Sequence, residues 1–303
     1  CCLSAIVASL NFSPPALSGD VVSDNDRLDP HSGARVHIVA ARQHRPNLPS
    51  LECPFCVGGL ESPEPYDVKS FSNRWPALES GACEVVLYSS QHDATIASLG
   101  NSGIRKVIDL WAERTTQLQQ QSDIDYVLIF ENRGAEVGAT ISHPHGQIYA
   151  FDHVPRRQHS MLQSQWKPDP QPADRSVISG LHFAVYAQYA AIHPVSLVIA
   201  PHKHISLLAQ LDDELRDDLA SIIHKTFTAL DQLFDAPLPY MMWINQASAK
   251  TQYENAWLNI EIVSPWRAKG VQRYIAAAEV STEEYFNPVD PADIAQRLRN
   301  LVV

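Results

Sequence analysis

The sequence predicts an α+β fold in which two similar halves share one extended, mostly antiparallel sheet with helices packed on it. Three observations predict this. Short apolar stretches are bounded by polar turns, as in strands. Residues 102–121 and 211–234 repeat their apolar positions at helical spacing. The order strand, helix, strand, strand occurs twice, a duplication at half-domain scale rather than a solenoid period of roughly 20–50 residues.

The 303 residues are 45% hydrophobic and 19% charged, an ordinary folded balance. The net charge of -11, from 23 basic and 34 acidic residues, argues against a nucleic-acid partner, because such binding needs Lys and Arg on phosphates. A few local arginines still suffice for a small phosphate ligand. No apolar run approaches the roughly 20 residues of a membrane helix, so no membrane partner is expected. The opening CCLSAIVASL is short, lacks a basic region and begins without Met. It reads as a trimmed or incomplete start rather than a signal peptide. Cys1, Cys2, Cys53, Cys56 and Cys83 make an odd count with no disulfide framework. In a reducing compartment the CxxC of Cys53 and Cys56 suggests metal or redox chemistry, and the cytoplasm is the expected location.

In chain order, residues 1–33 read as an N-terminal extension, with Pro, Ser, Gly and Asp concentrated from residue 13 onward. The first half, 34–160, opens on the strand-like RVHIVAA and the basic ARQHRP. CEVVLYSSQH (83–92) reads as a buried strand and 102–121 as a helix. DYVLIFENRG (125–134) and GATISHPHGQIYAF (138–151) read as two more strands. The second half, 175–303, repeats the order with HPVSLVIAPHKH (193–204), a helix over 211–234 with an acidic first turn, PYMMWINQ and AWLNIEIVSP. LYSSQHDATIASL and VIAPHKHISLLAQL align, which makes His92 and His204 equivalents. Asn259-Ile260-Glu261 then stands where the first half has His143-Pro144-His145. The chemistry therefore belongs to the first half, and LDDELRDD of the second reads as a solvated helix face.

His143, His145 and Gln147 alternate along one expected strand and share a face. Gly138 and Gly146 allow close approach of backbone or ligand. A phosphate ester needs a nucleophile with one ring nitrogen free and the other held by an acceptor, and His145 fits that need. An HxH alone is commonly a structural pair, but Gln147 and the preceding FENRG point to function. Cys53 and Cys56 have the spacing with which two thiolates grip one ion from a tight turn. A redox pair or two buried thiols would share that spacing. His92 and His143 are the candidates to complete a Cys2His2 site. Arg42 and Arg45 can clamp phosphate oxygens or form a solvated basic turn. Asn73 and Arg74 offer polar groups beside Trp75. No phosphate-cradling GxxxxGK[ST] is present, and GAEVGA lacks the full dinucleotide fingerprint.

With CPFC, SNRWPAL, EVVLYSSQH, FENRGAEVGAT and SHPHGQIYA in this order, the chain resembles the galactose-1-phosphate uridylyltransferase family of the histidine-triad superfamily. The resemblance implies two histidine-triad-like halves and a double displacement. His145 matches the nucleophile that forms a covalent nucleotidyl-histidine and releases a sugar 1-phosphate. Gln147 matches the residue holding the phosphoryl oxygens, which goes with transfer rather than hydrolysis. Cys53, Cys56, His92 and His143 match the ligands of one structural zinc. Arg42, Arg45, Asn73, Asn132, Gly138, Ala139 and Thr140 match nucleotide and phosphate contacts. Arg74 replaces an Asp that helps hold ribose. Glu279 matches a hexose contact, Arg273 stands where Lys is usual, and Tyr285 falls near a Gln that contacts the hexose. Asn245, Asn259 and Glu261 stand near a second metal site of the family, which is expected to be absent here. The implied substrates are a nucleotide sugar, carrying UMP, and a sugar 1-phosphate, and the implied assembly is a homodimer. The rival readings are a phosphorylase or transferase for another base or sugar, of ADP-glucose type, and a non-catalytic nucleotide-binding protein.

Overall fold

The structure, a computed structural model, describes residues 25–44, 53–78 and 82–302. The chain up to Ala40 is a unit of its own. Its described part is a hairpin of β1 (Asp26–Leu28) and β2 (Arg35–His37), with an Arg35–Asp26 ion pair of 2.6 Å.

The second unit, Ala41–Val303, carries the main sheet. Its elements are β3 (Lys69–Ser72), β4 (Ala82–Leu87), α1 (Ile96–Gln119), β5 (Tyr126–Arg133), β6 (His145–Phe151) and α2 (Arg156–Gln163). There follow β7 (Ser176–Ser179), β8 (Phe183–Ala187), β9 (Val195–Pro201), α3 (Asp213–Gln232), β10 (Tyr240–Asn245) and β11 (Asn259–Ser264). The chain ends with β12 (Trp266–Ala268), β13 (Val271–Gln272), α4 (Ala277–Thr282) and α5 (Pro291–Arg299).

Nine strands form one sheet in the order β3-β4-β6-β5-β10-β11-β9-β8-β7, and every pair is antiparallel. The order outward from the central β5–β10 pair is the same on both sides, as a duplication requires. The two halves are thus not separable sheets but one, joined where Phe130 lies opposite Trp243. One face carries α1 and α3. Val86, Val127, Ile129 and Ile148 from the first half and Leu197, Ile199, Ile244 and Ile262 from the second meet Trp111 and Phe227 in a single core. Each such aliphatic side chain stabilises the fold by roughly 1.5–3 kcal/mol when fully buried.

Helix α1 begins at Ile96, a turn and a half before the periodic apolar run at 102. Thr95 caps it by accepting from Ser98 N, and Ser98 Oγ returns the favour to Thr95 N at 2.8 Å. Gly100, with φ of 63°, kinks this first turn, which hides it from helical periodicity. Helix α3 is capped by Asp212 and carries Asp213 and Glu214 in its first turn. Its acidic face is exposed, as the sequence suggests, and its carboxylates still make contacts. Asp213 and Asp217 each hold Arg105 of α1 at 2.5 Å, and Asp218 accepts from His182 N at 2.9 Å. No described helix is long and apolar enough to cross a membrane.

Candidate active site and metal centre

The CPFC segment forms a tight turn ahead of β3. The carbonyls of Cys53, Pro54 and Cys56 converge on Gly59, where a Cβ would meet them at 2.6–2.8 Å, so only glycine closes this turn. The turn presents both sulfurs to His92 and His143. Cys56 Sγ lies 3.4 Å from His92 Nδ1 and 3.7 Å from His143 Nδ1, and Cys53 Sγ lies 3.8 Å from His143 Nδ1. All four ligand atoms fall within 4.8 Å of one another. A tetrahedral zinc with ordinary bond lengths needs ligand edges of about 3.3–3.8 Å, so the donor set fits such an ion. Burial and the neighbouring Cys53 push the Cys56 thiol up, and burial holds the His143 imidazole down. A thiol disfavoured as a bare anion and an imidazole kept neutral suit a cation that would draw on both.

His143 is fully buried, and its other nitrogen, Nε2, lies 2.8 Å from Ser89 O and 2.9 Å from the Tyr66 hydroxyl. Tyr66 in turn donates to Phe55 O at 2.7 Å. These partners fix the ring so that Nδ1 faces the sulfurs. Nothing in the sequence singled out Tyr66, because its contacts cross three loops.

The histidine pair does not lie on one strand as expected. β6 begins at His145, and residues 138–144 are a loop. Pro144 has no N–H to enter the ladder and Gly138 takes a left-handed φ of 83°. His145 and Gln147 still share the face away from the helices, while His143 turns into the cysteine cluster. The carbonyl of His143 lies 2.7 Å from His145 Nδ1. Asn73 Nδ2 donates to Gln147 Oε1 at 3.4 Å, which brings two more of the expected residues together. Asn132, Gly138, Ala139 and Thr140 line a cavity of about 760 Å³ with His145 and His143. Arg74 is exposed, 3.7 Å from Glu61. Arg42 stands on a short 3-10 turn, Ala40–His44, and is not among the described residues lining that cavity. Arg45 lies outside the described residues.

The family model described as galactose-1-phosphate uridyl transferase, N-terminal domain, matches residues 65–155, and the corresponding C-terminal domain matches 143–279. A galactose-1-phosphate uridylyltransferase of Thermotoga maritima is 33% identical over 91% of this chain and 98% of its own length. The chain belongs to the galactose-1-phosphate uridylyltransferase family. Its Streptomyces lividans relative of that name is also 33% identical, over 76% of this chain and 72% of its own. A solved uridylyltransferase superposes with a TM-score of 0.84 at 27% identity, covering 91% of this chain and 98% of that one. An ADP-glucose phosphorylase from Arabidopsis thaliana, at 23% identity, TM-score 0.74 and coverage of 86% and 93%, shares the fold.

Within this family member, the register corrects the sequence comparison of the two halves by two residues on the reactive strand. Phe130 faces Gln147 and Trp243 faces Glu261, on either side of the central Phe130–Trp243 pair. Glu261 therefore stands in the place of Gln147, and Asn259 in that of His145. At the loops the equivalence of His92 and His204 holds. The His92 ring meets His143 at 5.5 Å, and the His204 ring meets Trp257 at 4.9 Å. Glu261 is saturated with donors: Arg157 at 2.9 and 3.2 Å, Gln188 at 2.8 Å, Asn245 at 2.8 Å and Trp243 Nε1 at 3.2 Å. Arg157 also stacks over Trp243 at 4.8 Å.

The expected sugar contacts hold each other. Arg273 and Glu279 form a buried ion pair, and Glu279 further accepts from Ala276 N and Phe286 N at 2.8 Å each. Those backbone N–H groups, with the Arg273 guanidinium beside them, hold the Glu279 carboxyl below the usual range. Tyr285 is exposed nearby. Sequence reasoning also passed over Glu131, on the helix side of β5. It is buried, accepts from Tyr240 at 2.6 Å, and burial pushes its carboxyl up to about 7.

Proposed function

We propose that the chain transfers UMP between hexose 1-phosphates, by way of a nucleotidyl group carried on His145. The bond geometry of His145 Nδ1 carries this reading. A carbonyl oxygen only accepts, so the 2.7 Å contact with His143 O puts the proton on Nδ1 and makes Nε2 the unprotonated, nucleophilic nitrogen. Nε2 attacks the α-phosphorus of the nucleotide sugar, and the bond to the sugar-phosphate oxygen breaks with its electron pair, releasing a sugar 1-phosphate. A second sugar 1-phosphate then attacks, and the phosphorus–nitrogen pair returns to Nε2. Gln147 turns Oε1 to Asn73, which frees its amide N–H groups for the phosphoryl oxygens.

A zinc ion on Cys53, Cys56, His92 and His143 would supply structure, pinning the backbone whose carbonyl orients His145. Asn73, Arg74, Asn132, Gly138, Ala139, Thr140, Arg42 and Arg45 bind nucleotide and phosphate in this reading. The second half needs no metal at Asn245, Asn259 and Glu261, because the Arg157 guanidinium already neutralises the carboxylate. Arg273 and Glu279 serve the sugar by closing the loop that carries Tyr285. The exposed Tyr274, Val280 and Phe286 beside that loop supply apolar surface for a homodimer.

The test is to incubate the enzyme with UDP-glucose labelled at the phosphate next to uridine, without acceptor. Acid-labile label should stay on the wild type and be missing from His145→Ala. An unlabelled wild type, or a labelled variant, would sink the reading. Arg74 favours a second reading, a phosphorylase for another base, since no carboxylate stands there for ribose. Parallel arms with ADP-glucose, GDP-glucose and inorganic phosphate separate it by which nucleoside diphosphate is released.

A further inference from the structure

Tyr88, the residue just after β4, touches the nucleophile's strand at two points. Its backbone N–H donates to Pro144 O at 3.2 Å, one residue before His145. Its side chain crosses to the residue just after His145. A Cβ built on Gly146 would meet the Tyr88 hydroxyl at 2.1 Å, Tyr88 Cζ at 3.0 Å and Phe130 O at 3.1 Å. The phenol therefore fills the place a side chain at 146 would take, and the strand cannot sink toward the helices at that point. The ring is itself held. It meets Trp111 of α1 edge-on at 5.7 Å, and its hydroxyl faces the Glu131 carboxylate and the Trp111 indole in a fully buried spot. Tyr88 hydroxyl, Glu131 Oε2 and Trp111 Nε1 converge there without a well-formed hydrogen bond. Buried polar atoms left in that state mark a place where position matters more than stability. A phenol is costly to bury there, since its hydroxyl exchanges hydration for loosely formed contacts with Glu131 and Trp111.

We propose that Tyr88 is a positioning residue for the transfer, gripping the nucleophile's strand on both sides of His145 so that its Nε2 is held at reacting distance. The grip is made from behind the sheet, so Tyr88 touches neither nucleotide nor sugar. This rests on the reading of His145 as nucleophile.

The test uses Tyr88→Phe, Gly146→Ala and the double variant, with zinc content and thermal melting measured alongside kinetics on UDP-glucose and galactose 1-phosphate. Removing the hydroxyl should lower kcat about tenfold and leave KM for both substrates within about twofold, because misplacement of a reacting atom is felt in the transition state. Zinc content should not change. Gly146→Ala should lower kcat about a hundredfold, and adding Tyr88→Phe should restore part of it, since the hydroxyl is the nearest atom to the new methyl. A Tyr88→Phe enzyme with wild-type kcat overturns the proposal, as does a double variant no faster than Gly146→Ala. If kcat and KM move together with a loss of melting temperature, Tyr88 is core packing only, and the proposal is again overturned. A wild type that takes no label from UDP-glucose fails at the earlier step and removes both the nucleophile and its positioning residue.

Discussion

The two halves place a polar cluster at equivalent points on one sheet and use it in opposite ways. In the first half, the His143 carbonyl fixes Nδ1 of His145 and Asn73 takes the amide oxygen of Gln147. In the second, Asn259 and Glu261 take those places and every acceptor position on Glu261 is filled. A carboxylate engaged by that many donors is a structural node with no lone pair left for a ligand. Around the first site stand instead the cluster of Cys53, Cys56, His92 and His143 and the buried Tyr88.

The largest test of this contrast is His145→Ala. Transfer should fall on the order of 10⁴-fold or more, with melting unchanged, because no residue of the second half can take over. Next comes Cys53→Ser. Zinc retention should fall, and stability with it by about 3–5 kcal/mol. Hydrogen exchange should quicken in β4 and β6 and stay slow in β9 and β11. Uniform loosening of both halves would mean the metal staples the whole sheet.

A third test separates the buried carboxylates. Burial raises Glu131 from 4.5 to about 7, so between those values the folded chain binds the proton more tightly than the unfolded one. Its contribution to stability is full below about pH 4.5 and is lost as pH rises through about 7. Glu131→Gln carries no such charge. Its stability relative to wild type should climb by up to about 3 kcal/mol between about pH 4.5 and 7.5, read from paired urea melts. A flat difference would mean that Glu131 stays ionised throughout. The smallest effect is expected from Glu261→Gln. It turns an amide N–H toward donors and should cost about 1–3 kcal/mol of stability, with kcat within about twofold of wild type. A large fall in kcat would show that the second half takes part in the chemistry.

Much of this was legible in the sequence because it rests on local pattern. The apolar periods of 102–121 and 211–234 announced both long helices, and CxxC with two candidate histidines announced the cluster of Cys53, Cys56, His92 and His143. Strands β3, β7 and β8 were not foreseen, since Lys69–Ser72 and Ser176–Ser179 mix polar and apolar residues without clean alternation. The parting of His143 from His145 was missed for a physical reason: alternation says which face a residue takes only if the strand has already begun, and Pro144 delays it. The saturation of Glu261 and the pairing of Arg273 with Glu279 depend on which distant groups meet. Arg157 lies 104 residues from Glu261, and no spacing rule reaches that far.

The carbonyl of His143 has one further consequence, for how this enzyme can change over time. Many histidine nucleophiles and bases are oriented by a carboxylate, which one base change in the gene can delete. Here the orienting group belongs to the main chain, which every amino acid carries and no pH in the living range can protonate. Substitution at 143 can break the cysteine-histidine cluster but cannot erase the acceptor. On the proposed mechanism, the tautomer that reacts is therefore shielded from drift, while surrounding positions such as Arg74 and Arg273 remain open to it. Lineages built on this scaffold can exchange one sugar or base for another without reinventing the step that moves the phosphorus.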